Sequence, residues 1–149
     1  MKNAIWAAGA FLLLVFVAFV FNPFRAKIRI DESSHPMLPP TARNICSFHR
    51  AFWPYRAVEC NISERDFEDL SESRSWKLEE ISEPIEIRRF LEAMRVSGVE
   101  IPRKYESEPS TAKIVEGRYF QSETAPGGGH TLVAYDREAG RAFFYFSGR

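Results

Sequence analysis

The sequence predicts an α+β fold: an N-terminal transmembrane helix, followed by a small domain in which one or two helices pack on one face of a mostly antiparallel sheet. Three observations lead to this prediction. Residues 4–21 form an uninterrupted apolar run, residues 44–62 and 112–146 alternate as strands do, and helix-start signals stand between those two regions. The 149 residues divide into an anchor with its basic flank, a Pro-rich linker and a globular domain, at 1–30, 31–42 and 43–149.

The apolar run predicts a single-pass anchor that binds the lipid bilayer. Residues 4–21 carry no charged side chain, and a helix of that length spans about 27 Å, close to the thickness of the hydrocarbon core. A cleaved signal peptide is the alternative, but its apolar stretch is shorter and ends at small residues. Phe19 and Phe21 stand where those small residues would be needed, so an uncleaved anchor is favoured.

Two signals conflict on the side of the membrane that the domain occupies. Arg25, Lys27 and Arg29 follow the span and only Lys2 precedes it, which favours a cytoplasmic domain. A very short head before an N-terminal span is instead typical of a signal-anchor, whose domain is exported. Two cysteines suited to an oxidising compartment favour a cell-membrane protein with an extracytoplasmic domain.

Composition argues against nucleic acid as a partner. The whole chain is neutral, with 20 basic and 20 acidic residues, but four of the basic residues precede residue 31. The remainder carries a formal charge of about −4, without the concentrated basic face that nucleic-acid binding needs. Residues 31–42 contain three prolines and two serines, which predicts an extended spacer.

Residues 44–50 and 56–62 predict an antiparallel hairpin with one apolar and one polar face. Placing its centre at Trp53 sets Cys46 opposite Cys60. Directly opposed residues have Cα atoms ~4.5–5.5 Å apart, which suits a disulfide. Two buried free thiols are the alternative.

A helix is predicted to follow, ending at about Ser73. Ser63 is a suitable N-cap, and Asp66 stands at the third helical position, as in a capping box. Ile62 and Phe67 have the spacing of a hydrophobic staple.

The middle of the chain is ambiguous between helix and strand. Residues 76–81 favour a short strand. Residues 84–97 favour a helix that ends at Gly98, with a strand over 85–90 as the alternative. Residues 99–111 predict a surface loop.

The last third predicts strands at 112–123, 131–135 and 141–146. Asp136 and Gly140 suit a hairpin loop between the last two strands. Both faces of that pair are apolar, which predicts either a central position in a covered sheet or a face that binds a partner.

One loop has the composition of a partner-binding hot spot, because aromatic and arginine side chains cluster at the tip of the first hairpin. A role in capping the core is the alternative. The residues concerned are Arg50, Phe52, Trp53, Tyr55 and Arg56.

No catalytic, cofactor-binding or metal-binding residues are predicted. Cys46 and His49 are three apart in a strand and point to opposite faces, so they cannot share a zinc ion. Residues 127–129 are glycines, but they lead into a strand and no lysine follows, unlike a phosphate-binding loop. His49 and His130 are isolated histidines without an identified acid or nucleophile.

Three segments resemble a family of uncharacterised small bacterial single-pass membrane-anchored proteins. Residues 38–45 (LPPTARNI) are similar to its LPxSAxNI opening, residues 61–67 (NISERDF) to its xISExDF segment, and residues 134–142 (AYDREAGRA) to its AYDRxTGRA hairpin. The resemblance implies a membrane-anchored domain with no known activity, so it supplies no functional residues.

The expected function is a non-enzymatic binding or accessory domain held at the membrane, with a protein partner and no cofactor. A small membrane-bound enzyme with a dispersed site near His49 or His130 is the alternative. A subunit of a larger membrane complex is a third.

Overall fold

The computed structural model of the protein describes residues 26–50, 55–124 and 129–148. These residues form nine strands and two α-helices. The strands are β1 (Lys27–Glu32), β2 (Arg43–Arg50), β3 (Tyr55–Asn61), β4 (Glu79–Glu80), β5 (Ile85–Arg88), β6 (Thr111–Ile114), β7 (Gly117–Thr124), β8 (Gly129–Asp136) and β9 (Arg141–Ser147). The helices are α1 (Glu64–Ser73) and α2 (Phe90–Val96), with a 3₁₀ turn at Arg103–Tyr105.

Seven strands form one antiparallel sheet in the order β1-β2-β3-β9-β8-β7-β4, and β5 pairs with β6 in a second, two-stranded sheet. The predicted α+β class, with a mostly antiparallel sheet and two helices, is confirmed. The hairpin between β8 and β9 is also confirmed, since Asp136 pairs with Arg141 across a four-residue turn. These two strands lie at the centre of the large sheet.

The prediction that the helices share one face of the sheet is wrong. Phe67 of α1 packs against Val58 and Phe144, whereas Phe90 of α2 packs against Phe48 and Ala57. Because neighbouring strand residues such as Ala57 and Val58 point to opposite faces, α1 covers one face and α2 covers the other.

The small sheet shares the second face with α2. Ile87 of β5 and Ile114 of β6 pack against Ala134 and Phe143 of the central strands. The apolar residues on both faces of β8 and β9 are therefore covered on both sides, and that explains their composition.

The folded domain begins earlier than its predicted start at residue 43. Residues 27–32 were assigned to the basic flank and the linker, but they form β1, which pairs with β2. Lys27 and Arg29 are exposed while Ile28 and Ile30 are half-buried against the α2-side core. This alternation is that of an edge strand with one covered face.

The predicted disulfide is wrong, because the β2–β3 register differs by one residue from a hairpin centred on Trp53. Cys46 pairs with Glu59 rather than with Cys60. A one-residue change moves a side chain to the other face of a sheet, so Cys46 lies in the α2-side core and Cys60 in the α1-side core. Both are buried free thiols.

Local signals predicted α1 well. Ser63 is its N-cap and its Oγ accepts a hydrogen bond from the Asp66 backbone N–H at 3.1 Å. Ile62 and Phe67 both lie in the α1-side core.

The ambiguous middle of the chain contains both proposed elements in turn. Residues 84–97 hold β5 and then α2, with Gly98 following at a φ of 66°. Of residues 76–81, only Glu79 and Glu80 pair as a strand.

Among the described residues, no helix is long and apolar enough to cross a membrane. The predicted anchor at 4–21 lies outside the residues that the structure describes.

Candidate functional site

A cavity of about 310 Å³ lies on the α1 side of the sheet, where β1, β2 and β3 meet the segment 33–42. Three cationic side chains and two histidines stand in its wall, beside Pro36, Met37, Ser47 and Phe48, and it is called here the cationic cleft. The residues that define it are Lys27, Arg29, His35, Met37, His49 and Arg56. An adjoining cavity of about 340 Å³ shares Met37, His49 and Arg56 and extends to Arg74 and Phe146.

Strand register creates the cleft. Lys27 of β1 pairs with His49 of β2, His49 pairs with Arg56 of β3, and Arg56 pairs with Phe146 of β9. Directly opposed residues in antiparallel strands share a face, with Cβ atoms about 4.5–5.5 Å apart. A row of basic side chains therefore crosses three neighbouring strands, with the imidazole of His49 between the charges of Lys27 and Arg56.

Carboxylates do not neutralise this row. Within the described part of the chain, Lys27, Arg56 and Arg74 form no ion pair with an acidic side chain. The guanidinium of Arg56 contacts the Met37 thioether sulfur at 3.1 Å, which is a weak acceptor. Arg29 is the exception, since its Nη1 lies 2.7 Å from Glu32.

Both histidines of the cleft are held towards the neutral form. Burial is the main cause of the lowered pKa of His49, and the charges of Arg56 and Lys27 add to it. Burial also lowers the pKa of His35, against an opposing effect of Glu32. The Nδ1 atom of His35 accepts a hydrogen bond from the Met37 backbone N–H at 3.3 Å, which places the proton of the neutral ring on Nε2.

The structure describes only part of the predicted hot-spot loop. Phe52 and Trp53 lie outside the described residues, and Arg56 faces the cleft. Tyr55 points to the other face, where its ring centroid lies 4.9 Å from that of Tyr145. Arg50 pairs with Tyr55 in the β2–β3 ladder. Tyr55 and Arg56 thus point to different faces, and of the described residues of the loop only Arg56 lines the cleft.

The two histidines proposed for an enzymatic alternative do not come together. His49 lies in the cationic cleft, whereas His130 lines a separate cavity of about 280 Å³ on the α2 side, with Glu86, Arg88 and Tyr145. Among the described residues, neither histidine forms a hydrogen bond to an acidic side chain.

The two cysteines are structural. Burial raises the pKa of the Cys60 thiol to about 12, so it is protonated and unreactive at neutral pH. Cys46 lies 3.6 Å from the hydroxyl of Tyr105 in the α2-side core. Within the described ranges, no group of three or more metal-ligating side chains occurs.

A buried charge cluster also lies within the domain, and its geometry indicates a structural role. Glu59 accepts hydrogen bonds from Arg89, Arg141 and the backbone N–H of Phe90, at 3.2, 2.9 and 2.7 Å. Burial opposes the charge of Arg89, but the carboxylates of Glu59 and Glu108 outweigh it and raise the pKa of Arg89. The cluster ties the start of α2 to the central strands.

Sequence reasoning missed four basic residues of the site. Lys27 and Arg29 were read as anchor flank, His35 as linker, and Arg74 was not considered. The alternation of Lys27 and Arg29 with Ile28 and Ile30 is a strand signal that could have placed the first two on a sheet face. His35 and Arg74 carry no local signal, because only the tertiary fold brings them to the cleft.

Neither a model of a protein family, nor a curated protein, nor a solved structure matches this chain.

Proposed function

We propose that the protein is a membrane-tethered, non-enzymatic binding domain and that it binds an anionic ligand in the cationic cleft. The observation that carries this proposal is the row formed by Lys27, His49 and Arg56 on adjacent strands. No carboxylate of the described residues pairs with Lys27 or with Arg56.

The energetic argument concerns charge balance. Lys27 and Arg56 flank His49 on one face of the sheet without a carboxylate partner among the described residues, whereas Arg89 and Arg137 are paired with carboxylates. An anion in the cleft would supply the missing counter-charge for Lys27 and Arg56. Charge-assisted hydrogen bonds from such groups are about twice as strong as neutral ones.

Binding is favoured over catalysis because the cleft lacks an acid–base pair. A general base needs an orienting partner within hydrogen-bond reach, and His35 accepts its hydrogen bond from a backbone N–H instead. Ser47, on the same face, donates to Glu32 at 3.1 Å rather than to a histidine.

The proposed location is the cell membrane, through residues 4–21, with the domain on the extracytoplasmic side. The disulfide argument for export is lost, because Cys46 and Cys60 are unbridged. A small anion replaces a protein partner as the first candidate ligand, since Lys27, Arg29 and Arg56 line a concave cavity.

The test is an NMR titration of the full chain in neutral phosphatidylcholine nanodiscs with inorganic phosphate. We expect the imidazole signal of His49 and the backbone amide signals of His49 and Arg56 to shift in a saturable way. Arg56→Gln should weaken phosphate binding about tenfold, the loss of one hydrogen bond to a charged group.

The matched control is Arg65→Gln, which removes the same charge from an exposed position on α1. This variant should bind phosphate as the wild type does. Saturable shifts that survive Arg56→Gln, or no shifts at all in the wild type, would show that the cleft is not an anion site.

A further inference from the structure

One end of the large sheet contains the start of β1 and borders the cleft. Lys27, the first residue of β1, pairs with His49 near the end of β2. At the same end, Tyr55 begins β3 and pairs with Ser147, the last residue of β9. His130 near the start of β8 also pairs with Ser147.

This end lies close to the predicted span. Five residues, 22–26, separate the apolar run from Lys27. A chain of that length reaches at most about 20 Å even when fully extended. Lys27 is both a wall of the cleft and the first strand residue, so the tether holds the cleft within reach of the lipid headgroups.

Side chains at this end suit a membrane interface. Tyr55, Tyr145 and Phe146 are half-buried there, Arg50 pairs with Tyr55, and Lys27 lies two strands away from Tyr55 at the same end. Aromatic rings with basic neighbours are enriched at the level of the headgroups.

The wall of the cleft matches the chemistry of a phosphodiester. The guanidinium group of Arg56 presents forked N–H donors that fit phosphate oxygens, whereas Arg29 is paired with Glu32. Lys27 adds a point charge, while Met37 and Phe146 supply apolar surface to the joined cavities. A headgroup with its glycerol backbone offers both kinds of surface.

We infer that the cationic cleft holds the phosphodiester headgroup of an anionic phospholipid from the bilayer that tethers the chain. The inference rests on the proposed function and deepens it by naming the class of ligand. The adjoining cavities, about 310 and 340 Å³, are lined from the four adjacent strands β1, β2, β3 and β9 and accept a compact headgroup. An extended polyanion is disfavoured, because the chain as a whole has no net positive charge.

The experiment compares the full chain in nanodiscs of phosphatidylcholine alone and of phosphatidylcholine with phosphatidylglycerol. With the anionic lipid present, the His49 imidazole signal should move as it does with inorganic phosphate, and added phosphate should produce no further shift. Native mass spectrometry of the detergent-extracted chain should then show one retained phosphatidylglycerol per chain.

Three variants decide whether the cleft is responsible. Arg56→Gln should lower the retained phosphatidylglycerol about tenfold. Arg56→Lys keeps the charge without the fork and should give an intermediate loss. Arg65→Gln should retain the lipid fully, and each variant should keep the amide signal dispersion of the folded wild type.

The outcomes separate this inference from the proposed function. If phosphate shifts His49 but the anionic bilayer does not, the ligand is a free anion, and the lipid inference is overturned while the proposed function stands. If neither phosphate nor the anionic bilayer shifts His49, both fail. Equal retention of phosphatidylglycerol by wild type and Arg56→Gln would also overturn the inference.

Discussion

The buried carboxylate of Glu59, on β3, links the start of α2 to β9. Its side chain is 2% exposed, and it accepts hydrogen bonds from Arg89, Arg141 and the first N–H of α2. A buried charge of this kind is tolerated only because its partners are in place. Removing it leaves two arginine side chains near the core with less counter-charge.

Glu59→Gln should lower the free energy of unfolding by about 3 kcal/mol, because breaking a buried ion pair strands the remaining charges. The measurement is urea denaturation of the full chain in detergent micelles, followed by near-ultraviolet circular dichroism. Glu83→Gln, at an exposed position, is the control and should change stability by less than about 0.5 kcal/mol. Equal stability of both variants would mean that the cluster contributes nothing.

The two cleft histidines make stability depend on pH. Their pKa values are lowered in the folded state, so the unfolded chain binds more protons near and below its ordinary histidine pKa of about 6.5. The stability that they contribute is therefore present above that pH and is lost as the pH falls through the folded-state pKa. Arg56 and Lys27 oppose protonation of His49, and Arg29 and Arg56 oppose that of His35, against Glu32.

The midpoint of thermal unfolding should accordingly fall between about pH 7.5 and about pH 5.5. The carboxylates with lowered pKa values, Asp31 and Glu64, lose their contribution only at lower pH. The double variant His35→Gln/His49→Gln should flatten this dependence. A wild-type midpoint that rises on acidification would contradict the account.

At the scale of elements, the junction between β6 and β7 depends on one glycine. Gly117 has a φ of 150°, and a Cβ atom there would overlap the carbonyl oxygen of Tyr135 on the neighbouring strand. Gly140, in the turn before β9, has a φ of 60° but open space around it. The two positions therefore separate a steric clash from simple backbone strain.

Gly117→Ala should cost about 3 kcal/mol or more, since both the backbone conformation and the contact with Tyr135 are unfavourable. Gly140→Ala should cost only about 1 kcal/mol, the penalty for a left-handed residue with a Cβ atom. Denaturant titration of the two variants gives the comparison. Equal losses of stability in the two variants would contradict the prediction.

The β2–β3 hairpin shows why register was harder to predict than strand identity. Cys46 and Phe48 alternate as an apolar face, and so do Val58 and Cys60, so either register buries apolar side chains. Opposing Cys46 to Glu59 looks unfavourable in the sequence, because it buries a carboxylate. Arg89 and Arg141, which are distant in the chain, remove that objection, and no local pattern reveals them.

At the scale of the whole molecule, the features that were predicted correctly are those that depend on residues close together in the sequence. The N-cap at Ser63, the turn before Arg141 and the apolar β8–β9 pair are all visible over a few residues. The placement of α2 on the second face is not, because it depends on how Phe90 meets Phe48 across the sheet. The cleft was missed for the same reason, since its walls come from β1, the segment around His35 and the end of α1.

We propose that the fold places positive charges together in one cleft, where a bound anion neutralises them. Lys27, His49 and Arg56 stand side by side on three strands. The protonation of His49, the middle residue, is sensitive to the charges of both Lys27 and Arg56.

The most direct test is the apparent pKa of His49, measured by NMR on the full chain in neutral nanodiscs with and without sulfate, at matched ionic strength. The account predicts a pKa below the ordinary value of about 6.5 without sulfate, and a clear rise when sulfate occupies the cleft. Arg65→Gln should reproduce both values. A His49 pKa at or above the ordinary value, or one that sulfate leaves unchanged, would contradict the central claim.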